Sequence, residues 1–194
     1  MLTHQGTQIL RTARLTLRPF TPADALPMFE TWANDERVTR YLTWTPHGSP
    51  ELTKQLLADL CARYENPACY NWAMELAGRL IGNISVVRLD ERSEWAELGY
   101  CMGFDFWGRG LMSEAARAVT DFLFDKVGVN RIHIEHAVEN PASGGVAKNC
   151  GMTLEGTLRA YYKAYDGHFL DISSWAILRS EWEERNKMAK IPSE

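Results

Sequence analysis

Residues 94–116 read EWAELGYCMGFDFWGRGLMSEAA, and the pattern within this stretch changes twice. Glu94 to Met102 has the periodicity of a β-strand with one buried face. A loop rich in glycine and aromatic residues follows, and from Leu111 the apolar residues recur at helical spacing until Gly128. The stretch therefore predicts a strand, a glycine loop and a helix in succession.

The sequence on either side of this stretch predicts further strands and helices. Upstream we expect a strand at 14–20, helices that begin at Thr21-Pro22 and Ser49-Pro50, and an antiparallel meander of strands at 70–76, 79–89 and 94–102. Downstream we expect a buried strand at 131–138, a short helix from Asn140-Pro141 to Gly151, and a hairpin of 154–165 and 168–178 with a two-residue Asp166-Gly167 turn.

The length and composition are those of one globular domain. The chain has 194 residues, of which 45% are hydrophobic and 24% charged, and this size is sufficient for a core of its own. We expect a single domain over 1–194, with its core at about 14–182 and flexible ends at 1–9 and 186–194. The formal net charge of −4 argues against a nucleic-acid partner. No apolar run approaches the roughly 18 residues of a membrane span.

The four cysteines show neither a Cys-x-x-Cys pair nor a Cys/His cluster with zinc spacing. We therefore expect reduced thiols, no metal site and a cytoplasmic protein.

The glycine loop is a candidate phosphate site. A helix N-terminus presents unpaired amides, Gly108 and Gly110 would let a diphosphate approach them, and Arg109 would add a charge. The alternative is a tight turn without a ligand. A Walker A loop is excluded because Leu111-Met112 follows Gly110. A dinucleotide fingerprint fits in part, but Ser113 takes the place of its third glycine and an antiparallel meander leads into the loop.

Two spaced motifs resemble those of the GCN5-related N-acetyltransferases (GNAT). Trp107 to Met112 is similar to their Gln/Arg-x-x-Gly-x-Gly/Ala motif, and Asn140-Pro141-Ala142-Ser143, followed by Cys150-Gly151-Met152, is similar to their later Asn-x-x-Ser and Gly-Phe motif. The resemblance extends from about Arg14 to Trp182. Within the superfamily it is closest to the ribosomal-protein N-terminal acetyltransferase (RimJ/RimL) branch, on the segments 15–19, 97–100, 106–108, 154–156 and 166–171.

The chain departs from the family motifs at several positions. Trp107 replaces a polar residue, Met112 a small one and Met152 an aromatic one. Gly144-Gly145 stands where a bulky apolar residue and a basic residue are common.

The resemblance implies an α/β (α+β) fold of one domain. Its mixed, mostly antiparallel sheet has about seven strands, helices cover both faces, and the strands at 94–102 and 131–138 splay apart. The pantetheine arm of acetyl-CoA would lie between those two strands, because parallel neighbours that part leave unpaired backbone groups for an amide-bearing ligand.

The function implied by the resemblance is transfer of the acetyl group of acetyl-CoA to a primary amine by direct attack. The branch suggests an N-terminal α-amine of a protein or peptide as acceptor. Two alternatives stay open: a small amine such as a polyamine or an antibiotic, and a non-catalytic domain that senses acyl-CoA. A homodimer is also left open.

By resemblance, Glu97 would be the general base and Ser143 the acid that serves the leaving thiolate. The cofactor-binding residues would be Met102, Gly108, Arg109, Gly110, Leu111, Met112, Ser113 and Asn140. Two of these residues have an alternative interpretation. Glu97 could be a strand carboxylate paired with an arginine, and Asn140 could be a helix N-cap.

Other side chains are also candidates for the site. Tyr161, Tyr162 and Tyr165 are alternative acids or walls of the acceptor site, and His133 and His136 fit a core or surface role. Candidates for an acceptor pocket, although typical core residues, are Trp32, Tyr41, Trp44, Tyr70 and Trp72.

Overall fold

Eight strands form one sheet in the computed structural model, which describes residues 1–189. The strands are β1 (Leu10–Arg11), β2 (Leu15–Arg18), β3 (Asn71–Leu76), β4 (Arg79–Asp90), β5 (Trp95–Met102), β6 (Arg131–Ala137), β7 (Thr153–Lys163) and β8 (Phe169–Leu178). The helices are α1 (Ala25–Met28), α2 (Glu36–Thr39), α3 (Pro50–Arg63), α4 (Leu111–Phe122), α5 (Pro141–Asn149) and α6 (Arg179–Ala189). The strand order is β1-β2-β3-β4-β5-β6-β8-β7.

Helices pack on both faces of the sheet. One face carries the larger core, in which α4 buries Leu111, Ala115 and Val119 against the sheet. The opposite face carries a smaller core, where Leu57 and Leu60 of α3 pack near Trp32. The predicted α/β fold class, a mixed and mostly antiparallel sheet with helices on both faces, is confirmed, with the short β1 added to the predicted strands.

The sheet is antiparallel except between β5 and β6. These two strands pair in parallel only at Trp95–Arg131, Ala96–Ile132 and Glu97–His133. Since β5 continues to Met102 and β6 to Ala137, the strands part after the third pair. The predicted splay therefore lies where the sequence analysis placed it.

The predicted helix after Thr21 is irregular. A 3-10 turn at Pro22–Asp24 leads into α1, and a π-helical turn follows at Phe29–Ala33. Pro27 within α1 has no N–H to donate to the preceding turn, which explains why a regular α-helix does not continue through this segment.

The connection between β7 and β8 is longer than the predicted two-residue turn. Residues 164–168 form it, with the Ala164 amide donating to the His168 carbonyl at 2.8 Å. The Gly167 amide donates to Ala164, and Gly167 has a φ of +97°. Asp166-Gly167 thus lies inside a larger loop.

The N-terminal segment packs against the domain, in contrast to the expected flexible end at 1–9. Leu2 is buried, and the Thr3 amide donates to the Val127 carbonyl at 2.8 Å. At the other end α6 continues to Ala189, and residues 190–194 lie outside the described part of the chain. Among the helices described, none has both the length and the apolar character needed to cross a membrane.

Candidate active site

A cleft of about 480 Å³ opens where β5 and β6 part. The end of β5 and the glycine loop form one wall, and the end of β6 with the start of α5 forms the other. Its volume lies within the range of small-molecule sites in proteins, about 300 to 1,000 Å³.

Backbone groups of both strands face this gap. The Gly103 amide donates to Ile81 of β4 at 2.9 Å, so alternation turns the backbone groups of Tyr100 and Met102 away from β4 and toward the gap. On the other side the Val138 amide donates to Asp171 of β8 at 2.9 Å.

By the same alternation, Glu135 and Ala137 direct their backbone groups into the gap from the other side. The Trp107 indole donates to the Met102 carbonyl at 2.7 Å. This bond occupies the Met102 carbonyl, so the Met102 amide is the backbone group of this residue that can donate to an extended ligand in the gap.

The glycine loop turns into α4 at the mouth of the cleft. Gly108 and Gly110 both have a φ of +71°, and Gly110 is the N-cap of α4. A Cβ on Gly108 would meet nothing within 4 Å, so the backbone conformation and not space requires glycine at this position. The first turn of α4 points its unpaired amides at the cleft, as in an anion site.

Arg14, which the sequence analysis did not single out, is the cation beside this loop. Its guanidinium donates to the Arg109 carbonyl at 3.0 Å and to Glu114 at 2.6 Å. The Arg109 side chain instead lies over the Phe106 ring, 5.9 Å from its centre, and does not line the cleft. Arg14 therefore braces the glycine loop through the Arg109 carbonyl, and a contact of Arg109 with cofactor stays a prediction.

The other predicted cofactor-binding residues line the cleft: Met102, Gly108, Gly110, Leu111, Met112, Ser113 and Asn140. Asn140 also caps α5, since its side chain accepts a hydrogen bond from the Ser143 amide at 3.3 Å. Capping and a place in the cleft are therefore compatible, and a contact of Asn140 with cofactor stays a prediction.

Ser143 forms a hydroxyl pair with Tyr100. The two side-chain oxygens are 2.7 Å apart, and both residues line the cleft. Burial raises the pKa of the Tyr100 phenol, so the phenol stays protonated at neutral pH. Tyr100 was known from the sequence only as part of the segment 97–100, and its partner could not be read from spacing.

Glu97 is bound in an ion pair and does not line the cleft. Its carboxylate accepts a hydrogen bond from the Arg88 guanidinium, and His133 Nε2 lies 3.5 Å away. Burial would raise the pKa of Glu97, but the bonds from His133 and Arg88 outweigh it and lower the pKa. The structure thus has the paired strand carboxylate that was the alternative interpretation, because an extra residue, Val87, shifts β4 and sets Arg88 opposite Glu97.

Glu135 is the carboxylate that lines the cleft. The same arginine reaches it, with Arg88 Nη2 3.2 Å from Glu135 Oε2. The sequence analysis missed this residue, although a glutamate inside the strand 131–138 was a usable signal.

The position of the His136 ring explains the glycine at position 144, which is one of the departures from the family motif. Its Nδ1 lies 2.7 Å from the Ala137 carbonyl and its Nε2 3.1 Å from the Trp175 indole nitrogen. A carbonyl only accepts and an indole N–H only donates, so His136 carries its proton on Nδ1. A Cβ on Gly144 would come within 3.0 Å of the ring, which accounts for glycine at that position.

Of the aromatic residues considered for an acceptor pocket, Tyr41 lines the cleft. Trp32, Tyr70 and Trp72 are buried core residues, and Trp44 packs against the smaller core.

The segment that contains the glycine loop and both splayed strands matches a known family. A family model described as an acetyltransferase (GNAT) domain covers residues 14–153. The chain belongs to the GNAT acetyltransferase family. The membership predicted from the two motifs is confirmed, and this GNAT protein is an acetyl-CoA-dependent N-acetyltransferase.

Individual relatives agree with the family. The uncharacterized N-acetyltransferase YoaA of Bacillus subtilis is 33% identical over 155 residues, 79% of this chain and 87% of that protein. The ribosomal-protein-serine acetyltransferase of Escherichia coli is 35% identical over 80 residues, 41% of this chain and 45% of that protein. The structure of RimL, a ribosomal-protein α-N-acetyltransferase in complex with coenzyme A, has a TM-score of 0.81 at 20% identity and covers 90% of this chain and 99% of that chain.

Proposed function

We propose that this GNAT enzyme acetylates the N-terminal α-amine of a protein or peptide. The observation that carries the acetyl-CoA part of the proposal is the gap between β5 and β6, which opens beside a helix N-terminus with two left-handed glycines. The acceptor class is supported by relatives whose names refer to ribosomal proteins.

The residues of the cleft fit acetyl-CoA. The amides from Gly108 to Ser113 suit a diphosphate, and the Met102 and Ala137 amides suit the carbonyl oxygens of a pantetheine arm. When bound, acetyl-CoA supplies an activated thioester carbonyl that an amine attacks.

Two sets of side chains serve the proton transfers. An amine must lose a proton before or during attack. Glu135, a carboxylate that lines the cleft, would accept this proton directly or through a water. On the other side of the cleft Ser143, whose hydroxyl pairs with that of Tyr100, would donate a hydrogen bond to the leaving thiolate as the carbon–sulfur bond breaks. Burial raises the pKa of the Cys101 thiol in the cleft to about 12, which disfavours a thiolate and a covalent enzyme intermediate.

A panel of acceptors tests the proposal. Thiol release from acetyl-CoA would be measured with free-N-terminus peptides, the same peptides with a blocked N-terminus, spermidine, an aminoglycoside and free amino acids. We expect release with the free peptides and none above background with the blocked ones. Release with spermidine or the aminoglycoside and not with any free peptide would move the enzyme to the small-amine class.

A further inference from the structure

The edge strand β7 contains a large bulge near the cleft. Leu158 pairs with Ile172 and Tyr162 pairs with Leu170, so residues 159–161 of β7 face the single residue Asp171 of β8. Bulges of this kind redirect side chains and occur often next to active sites.

The bulge depends on an unfavourable backbone conformation. Ala160 has a φ of +49°, in the left-handed region that side chains other than glycine rarely adopt. The Ala160 amide donates to the Asp171 carboxylate at 2.7 Å. This side-chain bond replaces the strand pairing that the Ala160 amide has lost.

The consequence is that two neighbouring tyrosines come together. Successive residues of a regular strand point to opposite faces, yet the Tyr161 and Tyr162 rings are 5.5 Å apart and edge-on. Tyr162 packs against the cluster of Ala137, Leu170 and Ile172, and Ala137 lines the cleft.

Both tyrosines lie on the face that carries the charged groups of the site. Burial raises the pKa of Tyr162, and the charge of Glu97 adds to the effect. The Arg88 guanidinium has its pKa raised by Glu97 and, to a smaller extent, by Tyr161. Tyr162 therefore lies beside Ala137 at the edge of the cleft, and Tyr161 packs edge-on against Tyr162.

We propose that Asp171 is a positioning residue of the acceptor site: its carboxylate holds the strained bulge that sets Tyr161 and Tyr162 at the acceptor side of the cleft. The inference rests on the proposed function, because it assigns a wall to the amine acceptor. Aromatic rings beside a carboxylate suit a cationic amine. The backbone cradle for acetyl-CoA lies on β5, β6 and α4 and includes no residue of the bulge, so we expect cofactor binding to survive its loss.

Kinetics of four variants test this role, with the free peptide that the wild-type enzyme acetylates fastest. Asp171→Ala should raise the KM for the peptide about tenfold and leave the Kd for acetyl-CoA unchanged, because only acceptor binding is weakened. Asp171→Asn should restore the KM, since its amide oxygen still accepts the Ala160 bond. Asp171→Ala combined with Ala160→Gly should recover part of it, because glycine adopts the left-handed conformation without strain.

Asp166→Ala is the matched control, an exposed aspartate in the tip of the same hairpin that bonds His168. It should leave both constants at the wild-type values. A wild-type KM in folded Asp171→Ala overturns the proposal, and so does an equal rise of KM in Asp166→Ala or a parallel loss of acetyl-CoA affinity. A wild-type enzyme that acetylates no amine refutes the proposed function before any variant is made.

Discussion

Glu97 and Glu135 bind the same arginine but differ in what else they face. Glu97 is 6% exposed between Arg88 and His133 and lies outside the cleft lining, whereas Glu135 is one of the residues that line the cleft. A general base must come within hydrogen-bond reach of the amine or of one bridging water. At the scale of single residues, Glu135 is therefore the better placed of the two carboxylates.

Replacing Glu135 by glutamine should lower kcat by about a hundredfold at neutral pH, since a positioned base contributes roughly 10²- to 10⁴-fold. Part of the rate should return at higher pH, because more of the acceptor is then free amine. Glu97→Gln is the matched comparison and should retain most of its turnover. A large loss of kcat in Glu97→Gln with little change in Glu135→Gln would return the base to Glu97.

Glu97 should make folding stability depend on pH in acid. The folded-state pKa of Glu97 is lowered below 4.5, so the unfolded state binds a proton at a higher pH than the folded state does. The ionised Glu97 therefore stabilises the folded state at pH values above 4.5. As the pH falls through the folded-state pKa the stabilisation is lost. Thermal unfolding of wild type and Glu97→Gln should therefore differ at neutral pH and converge in acid. A difference in Tm that does not shrink as the pH falls below 4.5 would contradict this.

Local motifs located some site residues and not others. Gly108, Gly110 and Asn140 follow from short patterns, because each defines the backbone turn in which it sits, and Ser143 belongs to the same short pattern as Asn140. Arg14 bonds the loop at the Arg109 carbonyl and α4 at Glu114, contacts that span 95 and 100 positions of the sequence. No spacing rule contains such a pair.

At the scale of whole elements, helix starts were predictable where the signal is local. The Ser49 side chain accepts a bond from Leu52 at 3.3 Å, as the cap-and-proline pattern predicts. The bulges of β4 and β7 were not predictable, because each depends on the register of a neighbouring strand and no single strand sequence encodes it. The bulge of β4 sets Arg88 opposite Glu97, and the bulge of β7 brings Tyr161 beside Tyr162. The acceptor side of the site was therefore less predictable from the sequence than the cofactor side.

The N-terminus of α4 gives a prediction of its own. Gly110→Glu should raise the Kd for acetyl-CoA at least a hundredfold, since a carboxylate at the N-cap repels the diphosphate. Gly78→Glu is the matched control: Gly78 has a φ of +78° and open space around it, in the turn between β3 and β4. Both variants should lose about 1 to 2 kcal/mol of stability from the left-handed backbone. Equal acetyl-CoA affinity in the two variants, measured by calorimetry, would exclude the loop from the site.

Across the whole molecule, the sheet consists of two antiparallel parts joined by three parallel pairs between β5 and β6. β1 to β5 form one part and β6 to β8 the other. Beyond the third pair, alternate backbone groups of both strands face the gap instead of each other. A ligand with amides of its own would therefore connect the two parts as an added strand does.

This geometry predicts an alternating pattern of amide exchange. Saturation with acetyl-CoA should slow hydrogen exchange at Met102 on β5 and at Ala137 on β6, whose amides face the gap. It should change exchange little at Gly103, whose amide is already bonded to Ile81. At a hundredfold excess over Kd the ligand should also add about 2.7 kcal/mol to the free energy of unfolding. In Gly110→Glu at the same acetyl-CoA concentration both effects should be strongly reduced, because the diphosphate is held at least a hundredfold more weakly. Protection confined to the glycine loop, with Met102 and Ala137 unchanged, would mean that the arm lies outside the gap and that the two parts of the sheet are not bridged by it.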